Sequence, residues 1–136
     1  MLSSTTSSET TRVLLVDDNE AMLRRVAGVL SAGCEIVGAV TSGMAAIEAA
    51  VTLKPDVIVL DISMPGMNGL EVAGCLRGMG STAAFVFCTV HDDEDFVLAA
   101  KAAGGTGYVV KQRLAADLVP AVLDARHGRP FVSAVR

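Results

Sequence analysis

Three aspartates, a threonine and a lysine fall at the ends of apolar runs in this chain. Asp17 and Asp18 follow "RVLLV", Asp61 follows "DVIVL", Thr89 follows "AFVFC" and Lys111 follows "GYVV". Runs such as Val57-Ile58-Val59-Leu60 have the composition of a strand buried on both faces. Aspartate is depleted in strands and seldom buried without a partner. An acid at the end of such a run therefore serves either a turn or a chemistry. If the strand ends converge, three carboxylates (Asp17, Asp18, Asp61) repel one another unless a cation sits among them. A hard divalent ion suits an all-oxygen site, and Mg2+ typically takes one or two carboxylates plus waters. A carboxylate beside Mg2+ is a competent nucleophile toward phosphorus. A hydroxyl and an ammonium nearby would stabilise the charge on the transferred oxygens. On this reading Asp61 is the nucleophile, Asp17 and Asp18 hold the metal, and Thr89 and Lys111 are the donors. Each has a plainer alternative: a helix cap for Asp17, Asp18 and Thr89, the start of the Pro65-Gly66 and Asn68-Gly69 turn loop for Asp61, and a surface loop position for Lys111.

These residues must be positioned by an alternation of two hydrophobic periods. Strands are expected at 12–16, 34–40, 56–60, 84–88 and 107–110, and helices at 20–31, 43–53, 70–78, 92–104 and 115–128. In the first helix Met22, Val26 and Val29 share a face, with Leu23, Ala27 and Leu30 beside them. Gly28 within it costs about 1 kcal/mol relative to Ala, a cost expected to be offset by close packing. Pro55 stops the second helix. Pro120 is the misfit of the last one, predicting a late start or a bend. Strands alternating with helices, joined by right-handed crossovers, give an α/β fold: a (βα)5 doubly wound, five-stranded parallel sheet of flavodoxin-like order 2-1-3-4-5. Ligand sites in such sheets lie outside the carboxyl ends of the strands, at the switch point between strands 1 and 3. All five candidate residues sit at that rim.

Composition narrows the setting. A chain of 136 residues, 51% apolar, fits one domain with its own core. The formal charge of -4 argues against nucleic acid, whose phosphates call for a basic surface. Cys34, Cys75 and Cys88 lack metal-ligand spacing and sit among apolar residues, the pattern of buried thiols in a reducing cytoplasm. Residues 1–11 read as a disordered Ser/Thr-rich tail, without the basic and apolar regions of a signal peptide. No apolar stretch approaches the roughly 20 residues of a membrane span, so a cytoplasmic location is expected. The acidic run "HDDED" suits the first turn of a helix, and Arg126, His127 and Arg129 suit the last turn of another, both through the helix dipole.

Taken in order, "VLLVDDNEAM", "DVIVLDISMPGMNGLEV", "FVFCTV" and "GYVVK" resemble the receiver domain of bacterial two-component response regulators, over residues 12–128. The resemblance implies that Asp61 accepts a phosphoryl group from a sensor histidine kinase or a phosphotransfer protein. Asp18 would ligate Mg2+ directly, Asp17 largely through water, and Ser63 through its backbone carbonyl. Thr89 would be the switch hydroxyl, Lys111 its partner at the phosphoryl oxygens, and Tyr108 the aromatic whose rotamer follows Thr89. Output would be a population shift on the face of the fourth helix, fifth strand and fifth helix, with a homodimer formed on phosphorylation. Such a chain is a signalling switch rather than a conventional enzyme, catalysing only its own phosphorylation and autodephosphorylation.

Departures from the family pattern fall at Ser63, at Val90, where a small residue is usual, and at His91. The resemblance implies that side chains there would flank the phosphoryl group and tune its lifetime, and that Val90 would narrow access to Asp61. His91 has a plainer reading as a solvated residue before a helix, and Tyr108 as a half-buried strand aromatic. Gln112 after Lys111, and the ending "AVLDARHGRPFVSAVR", are similar to the LuxR-type (NarL-like) subfamily, whose receivers run into a linker, here 129–136. No DNA-binding helix-turn-helix is present, so an excised or a stand-alone receiver is expected.

Three rival readings remain open. A flavin-binding flavodoxin needs a donor-rich loop after strand 1, where this chain has "DDNE". A phosphatase of the haloacid-dehalogenase type expects a second Asp at position 63, which is Ser. A receiver-like interaction module would work without phosphorylation, and Val90 is its best support.

Overall fold

The computed structural model describes residues 10–134. Strands β1 (Thr11–Val16), β2 (Cys34–Val40), β3 (Val57–Leu60), β4 (Ala84–Thr89), β5 (Gly105–Val110) and β6 (Phe131–Val132) form one sheet of order β2-β1-β3-β4-β5-β6. Every pairing in it is parallel. Between them run α1 (Glu20–Leu30), α2 (Gly43–Leu53), α3 (Gly69–Gly78), α4 (Glu94–Ala102) and α5 (Leu114–Arg126).

β3 is apolar at every position, and β1 and β4 are apolar from Val13 to Val16 and from Ala84 to Cys88, because the sheet has a core on each face. Val13, Leu15, Val59 and Val86 point to one face, where α1 brings Leu23 and Val26 and α5 brings Leu118 and Val122. Leu14, Ile58, Leu60 and Phe87 point to the other, against Ala46, Val72, Leu76 and Ala100 of α2, α3 and α4. Successive side chains of a strand alternate faces, so a doubly covered strand shows no polar alternation. Side chains start three of the helices. Asn19 accepts from the Met22 amide, Ser42 from the Ala45 amide, and Asn68 with Glu71 forms a capping box before α3. Each such cap contributes about 1 kcal/mol. Asn19, not Asp17 or Asp18, thus caps α1, and the position before α4 is Asp93, not Thr89.

The structure departs from the sequence reading in several places. The sheet has a sixth strand, in the stretch expected to begin a linker. Thr11, assigned to the tail, is the first residue of β1; residues 1–9 of that tail lie outside the described residues. α4 is confined to Glu94–Ala102, leaving Asp92 and Asp93 in the loop before it. A short 3-10 turn, Lys111–Arg113, precedes α5, which runs through Pro120. Pro120 is exposed, so water can satisfy the carbonyl that its missing N–H leaves free. Cys34 and Cys88 are buried as expected, but Cys75 is exposed on α3. Its apolar sequence neighbours project from other sides of the helix.

Gly28 is also exposed, and a Cβ there would meet nothing within 4 Å. It serves no close packing. Gly28→Ala is therefore expected to stabilise the fold by about 1 kcal/mol through helix propensity alone, read as a higher urea midpoint. A lower midpoint would mean that the residue has a structural duty the packing does not show.

Candidate functional site

Backbone pairing brings the acids to one edge. The Asp17 amide donates to Val40 O at 3.1 Å and the Asp61 amide to Val16 O at 3.0 Å. Each bond continues a ladder one residue past its strand. Both side chains consequently leave the sheet at its carboxyl end with little freedom. Asp17 is 4% exposed and Asp61 6%, whereas Asp18 is exposed.

Lys111 bridges the two buried acids, its Nζ lying 2.8 Å from Asp17 Oδ2 and 3.2 Å from Asp61 Oδ2. The other oxygen of each carboxylate accepts a backbone amide two residues on, Asn19 N–H at 2.9 Å and Ser63 N–H at 3.3 Å. Burial pushes the Asp61 carboxyl above its ordinary value, against the pull of Lys111 and with the help of Asp17. For Lys111, burial favours the neutral amine, but the bonds and charges of Asp17 and Asp61 outweigh it and raise its pKa. One cation therefore sits between two acids in a partly dry pocket, a cluster that is still anionic. Behind it the Cys88 thiol is pushed up to about 12 by burial, so it stays protonated and unreactive.

Asp17, Asp18 and Asp61 each offer an oxygen, and these atoms lie within 4.8 Å of one another. An anionic set of carboxylate oxygens matches a hard divalent cation in both charge and donor type. The residues fit Mg2+.

Lys111→Met leaves the buried acids without their shared partner. In EDTA at neutral pH the variant is expected to lose about 2 kcal/mol of stability. Without the ammonium, which pulls it down, the raised folded pKa of Asp61 rises further. The loss therefore shrinks as pH falls toward the carboxylate range and protons replace the lysine. Urea unfolding at two pH values checks this; an equal loss at both would point to packing rather than charge.

Around the acids stands a second group that sequence only partly revealed. Thr89 is fully buried at the end of β4, and its Oγ1 accepts the His91 amide at 3.5 Å. The His91 ring is half-buried and engaged: Nε2 lies 2.7 Å from Ser63 Oγ, and the ring stacks on Phe96 with centroids 4.0 Å apart and planes 7° from parallel. Tyr108 is buried rather than half-buried, and its hydroxyl donates to His91 O at 2.7 Å. Burial, with the charges of Asp93 and Asp92, pushes that hydroxyl's pKa up to about 12, so it remains a donor. Val90 is 64% exposed, and Gln112 is exposed in the 3-10 turn. The structure thus brings Asp17, Asp18, Asp61 and Lys111 together, and links Ser63, Thr89 and Tyr108 through His91. Val90 lies at the surface beside Thr89 and His91.

Gly69 belongs to the site although it carries no functional group. The loop after β3 folds back, the Gly69 amide donates to Ile62 O at 2.9 Å, and a Cβ on Gly69 would fall 2.0 Å from the carbonyl oxygen of Asp61. The start of α3 rests directly on the backbone of the central acid. The only signal for this in sequence is the "NG" turn pair of Asn68-Gly69.

The family model of the response regulator receiver domain matches residues 13–123. The chain belongs to the response-regulator receiver domains. As such it is a signalling switch of two-component systems. The receiver is similar to the nitrate/nitrite response regulator protein NarL of Escherichia coli (strain K12), 35% identical over 129 residues, which cover 93% of this chain and 60% of NarL. It is also similar to the transcriptional regulatory protein LiaR of Bacillus subtilis (strain 168), 34% identical over 121 residues, which cover 88% of this chain and 57% of LiaR. The chain thus spans less than two thirds of the length of these relatives. Among solved structures, the signal receiver domain of NarL from Mycobacterium tuberculosis superposes with a TM-score of 0.84 at 33% identity, covering 89% of this chain and 99% of that one. Receivers generally bind Mg2+ at an acidic pocket, and the cluster of Asp17, Asp18 and Asp61 is the one such group among the described residues. No helix among them is long and apolar enough to cross a membrane.

Proposed function

We propose that Asp61 is the phosphoryl acceptor of this receiver, with Asp17, Asp18 and the backbone carbonyl of Ser63 holding Mg2+ beside it. The observation that carries the reading is the Lys111 bridge: one ammonium bound to both Asp17 and Asp61 inside a still anionic pocket. Mg2+, when bound, supplies charge neutralisation for the acceptor and for the phosphoryl oxygens. The protein's own part is positioning. Asp61, held by its backbone and by Ser63 N–H, presents an oxygen to the phosphorus of a phosphohistidine. The new O–P bond forms as the N–P bond breaks, and the electron pair returns to the imidazole of the donor. Lys111 then exchanges its carboxylate contact for a phosphoryl oxygen, and the Thr89 hydroxyl donates to another. Tyr108, tied to His91 and through it to Thr89, carries that rearrangement to the face of α4, β5 and α5. Ser63, Val90 and His91 line the approach and set the lifetime of the acyl phosphate.

The donor on this reading is a sensor histidine kinase or phosphotransfer protein. A longer form would carry a DNA-binding output domain, as a LuxR-type regulator of transcription, and would dimerise on phosphorylation in the cytoplasm. The deciding experiment is the intact mass after incubation with acetyl phosphate. One phosphoryl adduct is expected, dependent on Mg2+, with Asp18→Asn requiring a higher Mg2+ concentration. No adduct after a rapid quench would favour the phosphorylation-independent interaction module, with Val90→Ala the first variant to make. A Mg2+ titration of Asp18→Asn like that of the unmodified protein would remove Asp18 from the ligand set.

A further inference from the structure

β6 is short, yet it is anchored more firmly than its length requires. After Gly128, at a φ of +74°, the chain turns back and lays Phe131 beside Gly107 and Val132 beside Tyr108. Ser133 then closes the contact three times. Its amide donates to Tyr108 O at 2.9 Å. Its hydroxyl accepts the Val110 amide at 3.2 Å and donates to Asp117 Oδ2 at 2.7 Å. Asp117 is itself gripped by Arg113, through Nε at 2.8 Å and a terminal guanidinium nitrogen at 3.2 Å. Ser133 and Asp117 are each 7% exposed, and the bonds of Arg113 and Ser133 keep the Asp117 carboxyl below its ordinary pKa, hence ionised. A hydroxyl is required here because it donates and accepts at once. Without this segment, β5 would be the edge strand, its amides open to another chain.

The anchor points are neighbours of the site's own donors. Val110 pairs with Thr89 across the sheet and precedes Lys111 in the chain. Tyr108, which receives the Ser133 amide on its carbonyl, sends its hydroxyl to His91. A groove of about 340 Å3, lined by residues of α4, β5 and β6 such as Val97, Tyr108 and Val132, opens alongside. The hold on this two-residue strand is concentrated in Ser133, so the segment is a local unit whose opening depends on one residue and need not involve the core.

We propose that Phe131–Ser133 is a strap that closes the β5 edge in the unphosphorylated receiver, latched by Ser133 on Asp117 and Val110, and that phosphorylation of Asp61 releases it. The strap rests on the acceptor role of Asp61. When Thr89 and Lys111 turn to the phosphoryl oxygens, the end of β5 that carries Val110 moves with them and the latch loses its acceptor geometry. Release uncovers the backbone edge of β5 that Phe131 and Val132 cover.

Amide hydrogen exchange on the full chain, followed by NMR, tests both parts. Ser133→Ala is expected to speed exchange at Val110 and at position 133 by about tenfold or more, with Leu14 and Ile58 unchanged as reporters of the core. Unchanged exchange at Val110 in that variant would overturn the latch. For the wild type, acetyl phosphate with Mg2+ is expected to produce the same pattern once intact mass shows the adduct. An adduct with the Ser133 amide still protected would overturn release while leaving the acceptor role of Asp61 in place. Absence of any adduct would overturn the acceptor role, and the phosphorylation-driven release with it.

Discussion

Asp61→Asn is expected to abolish the phosphoryl adduct completely and, in EDTA, to leave a fold at least as stable as the wild type at neutral pH. Loss of the adduct follows from chemistry: a neutral amide oxygen is a poor nucleophile beside a carboxylate, and no other acid is placed as Asp61 is, at the end of the central strand and in contact with Lys111. The stability gain follows from charge. Burial and the neighbouring Asp17 raise the Asp61 pKa in the folded protein, so the folded state holds the proton more tightly than the unfolded chain does. The wild type therefore loses stability as pH rises from the unfolded value, about 3.9, through the raised folded value. Asparagine does not titrate. The variant should gain on the wild type across that window and keep the gain at higher pH, while below it the two should converge. Asn can still accept the Ser63 amide through its side-chain oxygen, so the loop after β3 keeps its anchor. Intact-mass spectrometry and urea unfolding at acidic and neutral pH measure the two halves. A phosphoryl adduct of wild-type yield would remove Asp61 from the mechanism, and a destabilised variant at neutral pH would mean that its bond to Lys111 outweighs the burial of its charge.

Gly69→Ala should have the largest structural effect of any single methyl added at a glycine of this chain that has an ordinary φ. The new Cβ would fall 2.0 Å from the Asp61 carbonyl oxygen and 3.1 Å from Ile62 Cα. Both are backbone atoms, so no rotamer change relieves the contact. Either α3 lifts, straining the Asn68–Glu71 capping box at its start, or the backbone of Asp61 shifts. A loss of about 3 kcal/mol is expected, the upper part of the range for overpacking, together with slower phosphorylation, because the displaced residue is the acceptor. Gly74→Ala makes the control in the same helix: it is exposed with nothing within 4 Å of a Cβ, and it should gain about 1 kcal/mol. Urea midpoints and the rate of adduct formation from acetyl phosphate check the pair. If Gly69→Ala unfolded at the wild-type midpoint, the turn after β3 would have to be softer than its packing implies.

The two core faces, the parallel sheet and the convergence of Asp17, Asp61 and Lys111 were all legible along the chain. Each depends on a local pattern, either a period of two or 3.6 or a charged residue ending an apolar run, and the topology of alternating strands and helices carries those ends to one edge. β6 was not legible, because two edge residues, Phe131 and Val132, carry no period, and their partner β5 lies on the far side of α5. Nor could sequence separate Gly28 from Gly69. Both sit in or at a helix, and only the atoms facing them, open solvent in one case and the Asp61 carbonyl in the other, decide what a methyl would cost. His91 makes the same point for chemistry. Its contact with Ser63 spans 28 residues of sequence and its ring rests on Phe96, so a residue that reads as a solvated helix lead-in is a link between the acceptor loop and Tyr108. Sequence alone determined which groups reach the edge of the sheet, because that depends on period and order. Tertiary structure alone decided how they pair, because hydrogen bonds and steric contacts act between atoms close in space, whatever their separation along the chain.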